Sequence, residues 1–309
     1  MVYKNITITP QSIICIYDQN CIKDTLNLIH SLNFHSLVEH SFVTLNFDKL
    51  ETITAAASVL LFSEINRIRA LSIHGFQALK IKSSSSRKGS VSLNSMGFLR
   101  AINIDIAKYP DTIWKGNSKF LTGTNPEEDL KKIAGLMCNL FELKKLPFKL
   151  SAAISETLLN IKHHAYLPIN IEGKLYYPPD FMINRWWLCF NIFKTNNKNI
   201  LKCVILDRGQ GITNTIKDTL PNTLKVTEDQ CFIHAMKTGV TRTQNQERGK
   251  GSEDIKMPID ITKNERDFLS IMSHTVTYTI LGEHTPSCNS SSHVIPGTIV
   301  EWQLEFNND

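Results

Sequence analysis

Residues 155–166 read SETLLNIKHHAY. On an α-helix Glu156, Asn160 and His164 recur every four residues and drift by only roughly 80° in total, so they share one face, and His163 falls on it too. Ile154, Leu158, Ile161 and Ala165 take the opposite face. The pattern requires a helix over 151–166 with one side on a core. A carboxylate, a carboxamide and two imidazoles line its other side. Such a polar stripe is ordinarily solvated surface, so the rest of the chain decides what this one is for.

The chain has 309 residues, enough for one large domain or two of ordinary size. A net charge of +5 is mild for that length, and no basic block appears. A nucleic-acid surface needs a dense Lys/Arg stripe, so direct binding of nucleic acid is disfavoured without being excluded. No apolar run approaches the roughly 18 residues of a membrane span, and MVYKNITITP lacks the basic-then-apolar order of a signal peptide. The seven cysteines include no CxxC pair, and several sit in apolar runs such as LKCVIL. These features predict buried, reduced thiols in a cytoplasmic protein with no membrane association.

Strand and helix alternate in the first part. SIICIYD (12–18) reads as a strand, CIKDTLNLIHSL as a helix, HSFVTLNF (40–47) as a strand, AAASVLLFSEINRI (55–68) as a helix and LSIHG (71–75) as a short strand. SSSSRKGSVS (83–92) reads as a basic low-complexity loop, and MGFLRAINI as a helix or strand end. The turn-rich stretch 108–129 marks the domain boundary. A helix with an acidic first turn then runs from Pro126 to about Leu143. RWWLCFNIFK and NILKCVILD read as strands of a hairpin turned by TNNKN. DQCFIHAMKTG reads as a helix closing at Gly239. FLSIMSHTVTYTI and GTIVEWQLEF read as strands joined by a turn-rich loop. Helices over an antiparallel sheet predict a two-layer α+β domain.

Two glycine motifs carry chemistry. In DRGQGI, Asp207 ends a strand, and Gly209 and Gly211 let a ligand approach backbone closely. Its carboxylate can accept from an exocyclic amine such as that of adenine, a charged hydrogen bond of about 1.5–3 kcal/mol. In RGKG, Gly249 and Gly251 flank Lys250 and can offer backbone N–H groups to phosphates, aided by a helix opening at Ser252. Neither a P-loop nor a Rossmann fingerprint is completed. Each motif alone also fits a plain turn.

The order of the motifs adds to each of them. E-x-x-x-N-x-x-x-H-A on a helix is followed by D-x-G-x-G after a strand, then G-x-G in a polar loop, then a strand opening with Gly297-Thr298. This order resembles the GHKL ATPases, the Bergerat-type nucleotide-binding domain shared by DNA gyrase and histidine kinases, over about 125–306. ETLLNIKHHAY is especially similar to anti-sigma-factor serine kinases. The resemblance implies ATP and Mg²⁺ as cofactors and assigns roles. Asn160 ligates the metal, Glu156 is the general base and Asp207 reads the adenine amine. Gly209 and Gly211 shape the purine pocket. Gly249, Lys250 and Gly251 form the phosphate lid. Thr298 helps hold adenine through water, and His164 contacts phosphate or caps the stripe. SEDIK after RGKG departs from the apolar residues these families place there.

VTLNFDKLETITAAASVLLF is similar to the strand–loop–helix of STAS domains. Their phosphoacceptor serine falls here at Ala55 or Ala56, which lack a hydroxyl, with Thr54 and Ser58 as imperfect substitutes. The implied arrangement is an α/β STAS-like domain at 1–115 followed by a GHKL-type α+β two-layer sandwich at 125–309. The implied function is an Mg-ATP-binding regulator that couples nucleotide binding or Ser/Thr-kinase-like transfer to a protein partner, or to self-association through the first domain. Two alternatives share the pocket: a conformational ATPase of a larger bacterial machine for defence or DNA processing, and a non-catalytic ATP-gated adaptor. A sensor histidine kinase is disfavoured, because 108–129 is too short and turn-rich for a dimerising helical hairpin.

Overall fold

A computed structural model describes residues 3–114, 118–141, 146–172, 174–194, 198–217, 226–237, 251–261, 264–282 and 284–307. The chain divides into two compact units. One is Met1–Thr122 with Trp187–Cys189, and the other is Gly123–Trp186 with Phe190–Asp309.

The first unit is α/β. Its elements are β1 (Asn5–Ile8), β2 (Ile13–Ile14), α1 (Gln19–Asn33), β3 (Phe42–Asn46), β4 (Thr52–Ile53), α2 (Ala55–Leu71), β5 (Leu79–Lys82), α3 (Arg87–Ser95), α4 (Phe98–Ile102) and β6 (Phe120–Gly123). β1, β3 and β5 form a parallel sheet in that order, and β2 pairs with β4, also parallel. Parallel neighbours require crossover connections, which α1 and α2 supply. α2 is buried nearly all round, from Ala56 to Arg69, as expected of a helix without a polar face. Phe62, Phe98 and Phe120 meet edge to face, with centroids 5.4–5.5 Å apart, a favoured aromatic geometry. Trp187, fully buried, donates its indole N–H to Asn66 Oδ1 at 3.1 Å.

Three expectations for this unit are corrected. LSIHG is not a strand. α2 runs on through Leu71, a 3₁₀ turn follows at Gly75–Ala78, and the strand is Leu79–Lys82. The serine-rich loop becomes helix α3, because the Ser86 side chain caps it by accepting from the Gly89 amide. The stretch read as a linker carries β6.

The second unit contains α5 (Pro126–Phe141), α6 (Phe148–Asn160), β7 (Ile169–Ile171), β8 (Lys174–Tyr176), β9 (Trp186–Lys194), β10 (Lys198–Asp207), α7 (Ile212–Lys217), α8 (Glu228–Ala235), α9 (Gly251–Lys256), β11 (Phe268–Leu281) and β12 (Ser287–Asn307). In its sheet the order is β11-β12-β10-β9, with β12 antiparallel to both β10 and β11. β12 starts well before Gly297, so the expected long loop ahead of it is instead an extension of the β11–β12 ladder. α6 buries Leu150, Ala153, Ile154, Thr157 and Leu158. Trp302 donates to the Ile255 carbonyl of α9 at 2.9 Å, which marks the helix-covered face of the sheet. Gly239 and the turn residues 195–197 lie outside the described residues.

Candidate functional site

Strand register brings the site's base end together. Thr298 stands opposite Asp207 on one side and Ser273 on the other. Directly opposed side chains share a face, and Trp302, four residues along from Thr298, shares it too. Asp207, Thr298 and Ser273 therefore lie on the helix-covered face, at the C-terminal end of β10.

Asp207 is only 5 % exposed. Its Oδ1 accepts from the Gly209 amide at 2.8 Å. Burial pushes its carboxyl up to about 6, against the lowering effect of hydrogen bonds from Gly209 and Thr298 and of nearby Arg208. A carboxylate offers about four lone-pair positions. Gly209 and Thr298 are donors beside it.

The glycines are demanded by close approach. A Cβ on Gly209 would lie 2.2 Å from the Ala165 carbonyl oxygen. Gly211 and Gly297 have left-handed φ values of 79° and 82°, which glycine adopts without strain. A Cβ on Gly297 would stand 1.9 Å from the Asp207 carbonyl oxygen, and one on Gly211 would stand 2.8 Å from Ser273 Oγ. That hydroxyl accepts from the Ile212 amide at 2.9 Å and donates to the Gly297 carbonyl at 3.1 Å. Ser273 thus ties the DRGQGI turn to Gly297-Thr298, inside β12. Its role was missed from sequence, because a lone serine inside a strand-like run carries no local signal.

The polar stripe lies where the helix reading put it, with one change of geometry. α6 ends at Asn160, and Ile161–Ala165 continues as a π turn. Glu156 and Asn160 are half-buried one turn apart, His164 is half-buried and His163 is exposed. The π turn sends backbone carbonyls to the loop. His164 O accepts from Gln210 Nε2 at 3.3 Å, and Ala165 O accepts from the Gln210 amide at 2.9 Å. Tyr166, the next residue, accepts from the Arg208 amide through its hydroxyl at 3.0 Å. Burial, and secondarily Asp207, pushes that phenol well above its usual range.

The other end of the stripe meets the second glycine motif. Gly251 opens α9 against Glu156, and a Cβ there would stand 2.0 Å from Glu156 Oε1. Gly249 and Lys250 lie outside the described residues. Among the described residues no group of three or more His, Cys, Asp or Glu side chains could hold a metal ion. A magnesium ion bound by one carboxamide plus substrate phosphates requires no such group. All seven cysteines are free, and Trp186 and Trp187 are fully buried. No described helix is long and apolar enough to cross a membrane.

The chain therefore presents a buried strand-end carboxylate, two glycine turns against backbone, and a carboxylate–carboxamide pair on one helix. Chemically, it can accept an amine at one end and offer a base and a neutral oxygen ligand at the other. Comparison with protein-family models and with curated proteins finds no match for this chain.

Proposed function

We propose that residues 125–309 bind Mg-ATP as a GHKL-type nucleotide domain, and that the first unit, STAS-like, engages a protein partner or a second copy of the chain. The observation that supports this reading most is convergence. Glu156 and Gly251 touch, the π turn after Asn160 cradles Gly209 and Gln210, and Thr298 stands beside Asp207. Motifs up to about 140 residues apart meet around one helix and one sheet end.

ATP supplies an adenine edge and a transferable γ-phosphate. Asp207 accepts from the exocyclic amine. Asn160 offers its side-chain oxygen to Mg²⁺, a hard-oxygen contact suited to that ion. Glu156 takes the proton of the attacking water or hydroxyl. Gly249, Lys250 and Gly251 cover the phosphates, and His164 helps the site through its carbonyl to Gln210. The juxtaposition of Glu156 and Asn160 favours an enzyme over an ATP-gated adaptor, since an adaptor has no use for a base. The cytoplasm is the setting of this reading, and seven free thiols are compatible with it.

Equilibrium titration of Mg-ATP into the wild type and Asp207→Asn tests the assignment. The variant is expected to bind more weakly by about 1–3 kcal/mol, because an amide replaces a charged acceptor. Equal affinities would remove Asp207 from adenine recognition. Tracing a labelled γ-phosphate then separates transfer to a protein hydroxyl, the kinase reading, from release to water, the conformational-ATPase reading.

A further inference from the structure

The hydroxyl of Tyr166 joins three separate segments of the second unit. It donates to the Arg185 carbonyl at 2.5 Å and accepts from the Arg208 amide at 3.0 Å. Arg208 directly follows Asp207. Arg185 is itself fixed: its Nε donates to the Phe181 carbonyl at 2.6 Å, and its guanidinium lies 4.0 Å from the centroid of the Phe181 ring. The phenol is therefore held on one side by an anchored strand entrance and holds the DRGQGI turn on the other.

The π turn at Ile161–Ala165 explains how the phenol reaches that turn. A π turn bonds i to i+5 and is found mostly as single turns, frequently at functional sites. Here it frees the His164 and Ala165 carbonyls for Gln210, two residues past Arg208. Gly209, between them, is pressed so closely on Ala165 that a Cβ has no room. Three successive residues after Asp207 are thus each held by 164–166, Gly209 also through its amide to Asp207 Oδ1.

We infer that Tyr166 is a positioning residue: with the π turn it holds the loop after Asp207 in place, and so sets the site's selectivity for adenine over guanine. The inference rests on the nucleotide reading proposed above. Adenine presents an amine where guanine presents a carbonyl. A buried carboxylate accepts from the first and is left facing an acceptor by the second. Discrimination of that kind depends on buried polar groups being held in place: the β10–β12 ladder seats Asp207, and its carboxylate is oriented by the Gly209 amide, whose loop is held by 164–166. A residue that only supported the fold would change stability and leave the ratio of the two affinities alone.

Tyr166→Phe deletes the hydroxyl and keeps the ring. Two measurements on the full chain test the inference. The first is amide hydrogen exchange without nucleotide. Arg208 and Gln210 are expected to exchange about tenfold faster in the variant, while the β11–β12 ladder keeps its wild-type rates. The second is titration with Mg-ATP and Mg-GTP, in which the ATP-to-GTP affinity ratio is expected to fall about tenfold. Unchanged exchange, or an unchanged ratio in a chain that does bind ATP, overturns the inference alone. A wild-type chain that binds neither nucleotide overturns the nucleotide reading and the selectivity with it. Should the variant not fold, the wild type still decides: an Arg208 amide that exchanges as fast as an exposed loop amide would mean the Tyr166 clasp is not formed.

Discussion

Asp207 is held as a buried carboxyl whose ionisation the fold opposes, and that opposition is measurable. Its carboxyl is pushed from 3.8 up to about 6 by burial, which corresponds to roughly 3 kcal/mol. Between those two values the folded protein keeps a proton that the unfolded chain has released. Stability from this group is therefore fully present below about 3.8 and is lost as pH rises through about 6. Asn cannot titrate, so Asp207→Asn removes this component and keeps an oxygen for the Gly209 amide. The variant's amide nitrogen adds a constant penalty of about 1–3 kcal/mol if no acceptor reaches it, so the informative quantity is a difference of differences. Urea unfolding of both proteins at pH 4.5 and 7.5 supplies it. The stability of the variant relative to the wild type should rise by roughly 2 kcal/mol across that interval, the share of the full effect that falls inside it. A relative stability that is flat with pH, or that moves the other way, would refute the claim that Asp207 is an ionised group held against its own desolvation. A carboxylate retained at such a cost is what a binding acceptor requires, and a purely structural position does not.

Other consequences are read more simply. Glu156→Ala should leave Mg-ATP affinity within about twofold while slowing hydrolysis or transfer by about 10²–10⁴-fold, as measured by single-turnover kinetics; equal turnover would remove Glu156 as the base. Gly209→Ala should destabilise the second unit by at least about 2 kcal/mol, because the new Cβ meets the Ala165 backbone 2.2 Å away; denaturant unfolding with a wild-type midpoint would show that the helix end does not press on this loop. Ser86→Ala should cost about 1 kcal/mol through loss of the α3 cap, and far-ultraviolet dichroism on thermal unfolding would register no shift if the serine-rich stretch were a loop after all.

Long periodic segments were legible in the sequence. The helix over Phe148–Asn160, the strands Trp186–Lys194 and Lys198–Asp207 and the helix Pro126–Phe141 carry strong patterns, and the structure places them within a few residues of expectation, except that the first gives way to a π turn after Asn160 where an α-helix to Tyr166 was expected. Short elements were not. β1 and β6 have four residues each, too few for period-2 alternation to stand out. The serine-rich stretch looked like a loop because its composition outweighed a single capping residue, yet it is helical, capped by Ser86 and seated on the buried Leu93. LSIHG has strand composition, but α2 continues through Leu71, because Arg69 near its end donates to the Leu79 and Ile102 carbonyls. Those partners are 10 and 33 residues away, and no local pattern shows them.

The candidate site divides the same way. The places of Asp207 and Gly209 were legible because a strand end and turn chemistry leave local signatures, whereas Thr298, expected to open a strand, lies inside β12. Tyr166 and Ser273 were not, because each acts through partners more than 18 residues distant. The π turn escaped too: a helix drawn at 100° per residue to Tyr166 has no place for it.

Calorimetric titration of Mg-ATP into the purified chain, with and without magnesium and alongside Asn160→Ala, should come first. Binding that requires magnesium and that Asn160→Ala weakens about tenfold or more is the predicted result. Binding indifferent to both magnesium and Asn160, or no binding at all by the wild-type chain, would contradict the proposal that this helix, this loop and this strand end together hold a nucleotide.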